Sequence, residues 1–228
     1  LEIIRHYKKK KIKLYQASSS EMFGKSKPPQ NENTLFKPRS VYAISKVFAY
    51  HSVIHYREAY NLHACNGILF NHESPRRGVN FVTKKIVQGL TRIKQGKQKN
   101  LILGNLYSKR DWGHAKDYVE SMWKILQQKK PDDFVVATKT SHSVKDFINI
   151  CAKKLDIKLL WKNKGLNEIG INKENNKIII KIDKKYFRET EVDDLIGDFA
   201  KAKKLLKWKP KYSFNKLVDD MIEKEQHE

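Results

Sequence analysis

The sequence predicts an α/β fold around a parallel sheet, and three observations carry that expectation. Apolar runs of strand length alternate with segments of helical length, the pattern of β-α-β units and not of hairpins. Two polar loops, SSSE at 18–21 and NHESPRRG at 71–78, directly follow such strands. In parallel sheets ligands bind beyond the carboxyl ends of the strands, so chemistry is expected in those loops. No internal repeat or long low-complexity tract breaks the alternation.

In chain order, LEIIRHY at 1–7 reads as a helix end and leads into a run of lysines. Residues 12–17 (IKLYQA) form a strand-length run, and Pro28, Pro29 and Pro38 mark a long loop. Ser40 is a fair N-cap for a helix over 41–60 that is apolar nearly all round and therefore expected to be well buried. A strand over 63–70 (HACNGILF), a helix over 81–94, a strand over 101–103 and a helix over 115–128 follow. Next come a strand over 134–137 and a helix over 143–155 that Ser143 caps. Beyond it, 159–161 and 178–182 read as short strands flanking a polar insertion rich in Asn and Lys. Asp198 starts a helix ending near Leu206, and Ser213 starts the last. The chain opens with Leu1 and has no G-x-G-x-x-G turn. The first β-α-β units of a dinucleotide-binding sheet are therefore expected upstream of Leu1.

The net charge is +22, from 47 Lys+Arg against 25 Asp+Glu, which favours anionic partners. The excess is mostly lysine spread along the chain, the signature of a solvated basic surface more than of one binding stripe. A nucleic-acid-binding protein would need those lysines on one face with interleaved aromatics. Cys65 and Cys151 are too few for a disulfide framework or a zinc cluster and read as buried free thiols. No run approaches the roughly 18 apolar residues of a membrane span, and no signal-peptide pattern opens the chain. A cytoplasmic protein with neither membrane nor nucleic-acid partner is expected.

Tyr42 and Lys46 lie one helical turn apart, on one face. An ammonium beside a phenol favours the phenolate, which makes a usable general base. The spacing alone is weak evidence, because Tyr7/Lys11 and Tyr212/Lys216 share it and exposed helix pairs of this kind are common. Only Tyr42 opens an apolar helix about twenty residues after a strand-ending hydroxyl and carboxylate, Ser19 and Glu21. SSSE by itself also fits an ordinary polar turn. With Tyr42 and Lys46 it makes a plausible set: a hydroxyl to orient a substrate alcohol, a tyrosinate to take its proton, and a carboxylate to remove a carbon-bound proton beside a ketone. His51 and His55 have the spacing of a zinc pair but lack the Glu of H-E-x-x-H, so they read as surface or packing histidines and no metal is expected. Asp117 suits the positive end of the helix it opens. Trp112, Trp123, Trp161 and Trp208 read as packing residues.

In order, QASSSEMFG, YAISK, LFNHESPRRG, KRDWGHAKDYVESMW and RETEVDDLIGDFAKAKKLLKWKP resemble the GDP-mannose 4,6-dehydratases, a branch of the extended short-chain dehydrogenase/reductase family. The resemblance runs from 1 to about 223. It implies a Rossmann-like sheet, incomplete at its start, plus a small C-terminal α/β domain that binds the substrate. Residues 1–75 would be the remainder of the NADP domain and 76–228 mainly the GDP-sugar domain, with 115–155 returning in part to the Rossmann sheet. It further implies a lyase that takes water from GDP-mannose with NADP as internal hydride carrier, in the first step towards GDP-fucose and related deoxysugars, working as a homodimer or homotetramer.

The implied catalytic roles fall on four residues. Tyr42 deprotonates the sugar 4-hydroxyl, Lys46 holds the nicotinamide ribose, and Glu21 takes the C5 proton. Ser19 stands where the family usually carries threonine, keeping the hydroxyl and losing the methyl that restricts it. By the same resemblance, His72 and Arg77 contact NADP. Asn71, Lys84, Arg110 and Arg188, with Glu191 close by, grip the nucleotide diphosphate and ribose, work that suits guanidinium groups. The readings against which this stands are an inert fragment or non-catalytic relative and, more remotely, a basic nucleic-acid-binding protein.

Overall fold

The computed structural model describes residues 1–7, 12–187, 192 and 194–227. Its elements in order are α1 (Glu2–His6), β1 (Leu14–Ser19), α2 (Val41–Tyr60), β2 (Ala64–Leu69), β3 (Asn71–Glu73), α3 (Val82–Lys94), β4 (Leu101–Leu103) and β5 (Lys109–Arg110). There follow β6 (Trp112–His114), α4 (Ala115–Leu126), β7 (Asp133–Val136), β8 (His142–Ser143), α5 (Val144–Lys154), β9 (Leu159–Lys162), β10 (Ile169–Asn172), β11 (Lys177–Ile182), α6 (Ala200–Leu206) and α7 (Phe214–Gln226). The chain divides into two compact units, each made of three separate segments.

The first unit comprises Leu1–His72, Arg110–Ser141 and Asp194–Lys211. Its sheet is all parallel in the order β1-β2-β7. As the central strand, β2 is buried at all six positions and reads as a continuous apolar run instead of an alternation. Pairing holds β1 in register through Ser19 against Leu69, so the strand runs two residues further than the apolar run suggests and ends on the serines. Helix α4 packs on the sheet, with α6 against β7. Between them lies a core of Cys65, Leu69, Tyr118, Ile125, Phe134 and Trp208. The Trp208 indole N–H donates to the Asp117 carbonyl at 2.9 Å, and the Lys211 backbone N–H donates to the Asp117 carboxylate at 2.9 Å. Asp117 is thus buried and anchors the segment after α6, beyond any role at the start of its own helix.

The expectation for α2 needs correction. Ser40 does cap it, accepting the Ala43 N–H at 3.1 Å, and Asn61 ends it in the left-handed region at φ 51°. Yet only Ala43, Tyr50 and Val53 are buried along its twenty residues, while Val41, Ile44 and Phe48 stand exposed, Phe48 at 76%. A helix laid on a sheet along one stripe buries that stripe, however apolar its other faces. Trp123, read above as packing, is likewise exposed on the outer side of α4, whereas Trp112 and Trp208 are in the core.

The second unit comprises Glu73–Lys109, His142–Asp193 and Tyr212–Glu228. Its sheet has the order β4-β11-β10-β9, with β4 parallel to β11 and the other pairs antiparallel. Strand β10 lies inside the polar insertion, where its IGIN is too short to stand out from the surrounding Asn and Lys. Helices α3, α5 and α7 pack on one another. Ser143 and Asp146 form a reciprocal capping box at α5, and Ser213 caps α7. Both cysteines are buried and free, one in each unit. Among the described residues no helix is long and apolar enough to cross a membrane.

Candidate active site

In the first unit the tip of β1 turns into a short 3-10 helix over Ser20–Met22, capped by Ser19, whose hydroxyl accepts the Glu21 backbone N–H at 3.2 Å. The Ser19 hydroxyl keeps its own proton to donate. Met22 and Phe23 are fully buried and fix the turn, while Glu21 is half-buried. Its carboxylate has no hydrogen-bond or ion-pair partner among the described residues, the condition of a group not committed to the fold.

Tyr42 stands in the first turn of α2, 54% exposed. One turn on, the Lys46 ammonium lies 5.7 Å from the centre of the Tyr42 ring and donates to the Ala17 carbonyl at 2.8 Å. Ala17 is two residues before Ser19. The same lysine therefore ties the Tyr42 face of α2 to the strand tip that carries Ser19 and Glu21. An ammonium has three donors, so one bond to Ala17 leaves capacity for a ligand hydroxyl.

Asn71 and His72 follow the carboxyl end of β2. The His72 Nδ1 pairs with the Phe70 carbonyl at 2.9 Å, and its ring stacks on Tyr118 with centroids 4.7 Å apart. Among the described residues, the buried Asn71 side-chain oxygen has no hydrogen-bond partner. An unpaired buried acceptor is costly, and at the end of a parallel strand it fits a donor brought by a ligand. Arg110 is buried on β5. The adjacent Asp111 is fully buried and accepts from the Thr138 N–H and hydroxyl at 2.8 and 2.6 Å, the Lys139 N–H at 2.9 Å and the Gly197 N–H at 3.2 Å. Burial pushes its carboxyl up to about 6 against the pull of those donors.

In the second unit, Arg77 and Lys84 are both engaged by carboxylates that sequence reasoning did not single out. The Arg77 Nε is 2.9 Å from Glu73, and its guanidinium lies over the Phe81 ring at 3.3 Å. Glu73 is 3% exposed and also accepts from the Thr83 hydroxyl at 2.8 Å; burial pushes it up to about 7, with Arg77 and Thr83 pulling down. The buried Lys84 ammonium pairs with Glu225 of α7 at 2.6 Å and donates to the Pro75 carbonyl at 3.3 Å. Glu225 lies 141 residues downstream of Lys84, so no local pattern reveals it. Glu73 was legible only as one letter of NHESPRRG. Arg188 and Glu191 lie outside the described residues. Also among the described residues, no group of three His, Cys, Asp or Glu could hold a metal ion.

A parallel sheet flanked by helices, with a hydroxyl and a carboxylate at one strand tip and a lysine tying that strand to the helix of Tyr42, places the first unit in the Rossmann-like α/β class. The chain belongs to the GDP-mannose 4,6 dehydratase family, whose sequence model matches residues 1–221. It is 54% identical over 217 residues to GDP-mannose 4,6 dehydratase of Dictyostelium discoideum, a match covering 95% of this chain and 61% of the relative. The chain thus spans about three-fifths of the length of that curated relative. Among solved structures, RMD from Pseudomonas aeruginosa complexed with NADPH aligns with a TM-score of 0.77 at 18% identity, over 94% of this chain and 66% of that one. The dTDP-glucose 4,6-dehydratase of Bacillus anthracis in complex with NAD aligns with a TM-score of 0.78 at 20% identity, over 99% and 65%. At those identities the two structures speak for the fold.

Proposed function

We propose that this protein removes water from GDP-mannose to give GDP-4-dehydro-6-deoxymannose, as a hydro-lyase with a tightly coupled nicotinamide cofactor, NADP in this reading. Family membership supports the reaction, and one observation supports the site: the Lys46–Ala17 bond, which ties the Tyr42 face of α2 to the strand that ends in Ser19.

When bound, the cofactor supplies an acceptor for the C4 hydride and a donor for its return at C6. The chain's own residues do the proton work. Ser19 donates to the substrate 4-oxygen while the Tyr42 phenolate takes the 4-hydroxyl proton. The resulting C4 ketone acidifies C5–H; Glu21 would remove that proton and pass it to the C6 hydroxyl, which leaves as water, while the proton taken by Tyr42 would return to C5. In this reading Tyr42, Lys46, His72 and Arg77 are the residues that would hold the cofactor. Asn71, Lys84, Arg110, Arg188 and Glu191 would hold the nucleotide sugar. The unpaired Asn71 oxygen suits a ribose or sugar hydroxyl donor. Lys84 would act as a neutralised pair with Glu225, a donor more than a net charge. The exposed apolar residues Val41, Ile44 and Phe48 of α2 support a homodimer or homotetramer. A metabolic enzyme of this kind works in the cytoplasm, on the GDP-fucose route.

The test is incubation with GDP-mannose and NADP, reading the 4-keto sugar by its loss of water in mass spectrometry. Glu21→Gln is expected to lower dehydration by about 10²- to 10⁴-fold. Dehydration at full rate by that variant sinks the role of Glu21, and no product from the parent protein sinks the whole reading.

A further inference from the structure

Helix α2 carries Tyr42 and Lys46, yet it buries only Ala43, Tyr50 and Val53. That apolar contact is one narrow stripe, and two directional polar contacts join the helix to its sheet as well. One is Lys46 on the Ala17 carbonyl. The other is Arg57, eleven residues on and so about 16 Å along the axis. Its Nε donates to the Ala64 carbonyl at 2.8 Å, and its terminal nitrogens fork onto both oxygens of Asp133, through Nη1 to Oδ2 at 3.3 Å and through Nη2 to Oδ1.

Asp133 is not the end of the line. It also accepts the Asn66 backbone N–H at 3.1 Å and the Asn66 side-chain N–H at 2.9 Å. The Asn66 side-chain oxygen in turn accepts from the Ser18 hydroxyl at 3.2 Å. Ser18, Asn66 and Asp133 are all buried and sit on β1, β2 and β7, so one polar chain crosses the whole three-stranded sheet. It begins on the helix of Tyr42 and finishes on the residue before Ser19.

We infer that Arg57 and Asp133 are positioning residues: through Asn66 and Ser18 they hold α2 in register with the β1 tip, so that Tyr42 and Ser19 act on one substrate atom. This rests on the reading of Tyr42 and Ser19 as the catalytic pair. The alternative is a purely structural ion pair. Buried pairs of that kind add little net stability, since their desolvation offsets the attraction, whereas a forked guanidinium–carboxylate contact is strongly directional. Fixing geometry is what such a pair does best.

The test uses Arg57→Lys, which keeps the charge and loses the fork, and Asp133→Asn, which keeps the shape. Both are read by steady-state kinetics with GDP-mannose and by amide hydrogen exchange along α2. We expect kcat to fall about 10- to 100-fold, the order produced by a misplacement near 1 Å, with KM within about twofold. Exchange should quicken in the first turn of α2, remote from the substituted side chains. Wild-type kcat with either variant folded, or loss of kcat and KM together with no change of exchange in that first turn, overturns the inference. Should Asp133→Asn fail to fold, Arg57→Lys decides alone. Should the parent protein not turn over GDP-mannose, the functional reading fails, and the exchange arm still tells whether Arg57 governs the first turn of α2.

Discussion

Glu73 offers a measurement of how strongly burial acts in the NHESPRRG loop. Its carboxyl is raised from 4.5 to about 7, chiefly by burial, with the Arg77 cation and the Thr83 hydroxyl opposing. A carboxyl whose folded-state value is raised makes the folded state bind more protons than the unfolded one between those two values. Stability is then full at pH below about 4.5, falls as pH rises, and levels off above about 7. The difference of about 2.5 units corresponds to about 3 kcal/mol, in order of magnitude. Glu73→Gln is a neutral isostere that can still accept from Thr83, so it escapes that loss. The variant should match the parent near pH 4.5 and melt higher near pH 8, by about 6–12 °C for a chain of this size. Thermal melts of both proteins across that range measure it. Subtracting one curve from the other isolates Glu73, because the similarly raised Asp111 is present in both. A flat difference curve, or a variant less stable than the parent at pH 8, refutes the reasoning and would mean that the Arg77 ion pair outweighs desolvation.

Two further outcomes follow from local structure. Ser40→Ala removes the acceptor of the Ala43 N–H and should cost about 1 kcal/mol by equilibrium unfolding, with Ser40→Gly recovering most of it. Burial raises the Cys65 thiol and pushes Cys151 up to about 12. Neither should therefore react with a thiol-specific disulfide reagent in the native protein at pH 8, and both should react after denaturation.

The caps show what local chemistry reveals. Ser40, Ser143 and Ser213 each precede a helix and each accepts a backbone N–H, because an N-cap needs only its own turn to be complete. Strand β2 was legible for a similar reason, as an apolar run the length of a central parallel strand. Strand β10 was not, since four residues of IGIN amid Asn and Lys gain their identity from Leu159–Lys162 and Lys177–Ile182 on either side. Of the candidate site, the Tyr42/Lys46 pair and the SSSE turn stood out by spacing and order. The Lys46–Ala17 bond that joins the helix of one to the strand of the other did not, for it spans 29 residues.

Sequence by itself determined the alternation of strands and helices, the parallel class of sheet, the helix starts and the family motifs, all of which are written in neighbouring residues. Tertiary structure alone decided which face of α2 meets the sheet, that Lys84 is matched by Glu225, and that Arg57 reaches Asp133 over 76 residues. The reason is physical. Hydrophobic periodicity reports how much apolar surface an element carries, whereas burial, ion pairing and raised carboxyl values arise only when two particular surfaces come into contact.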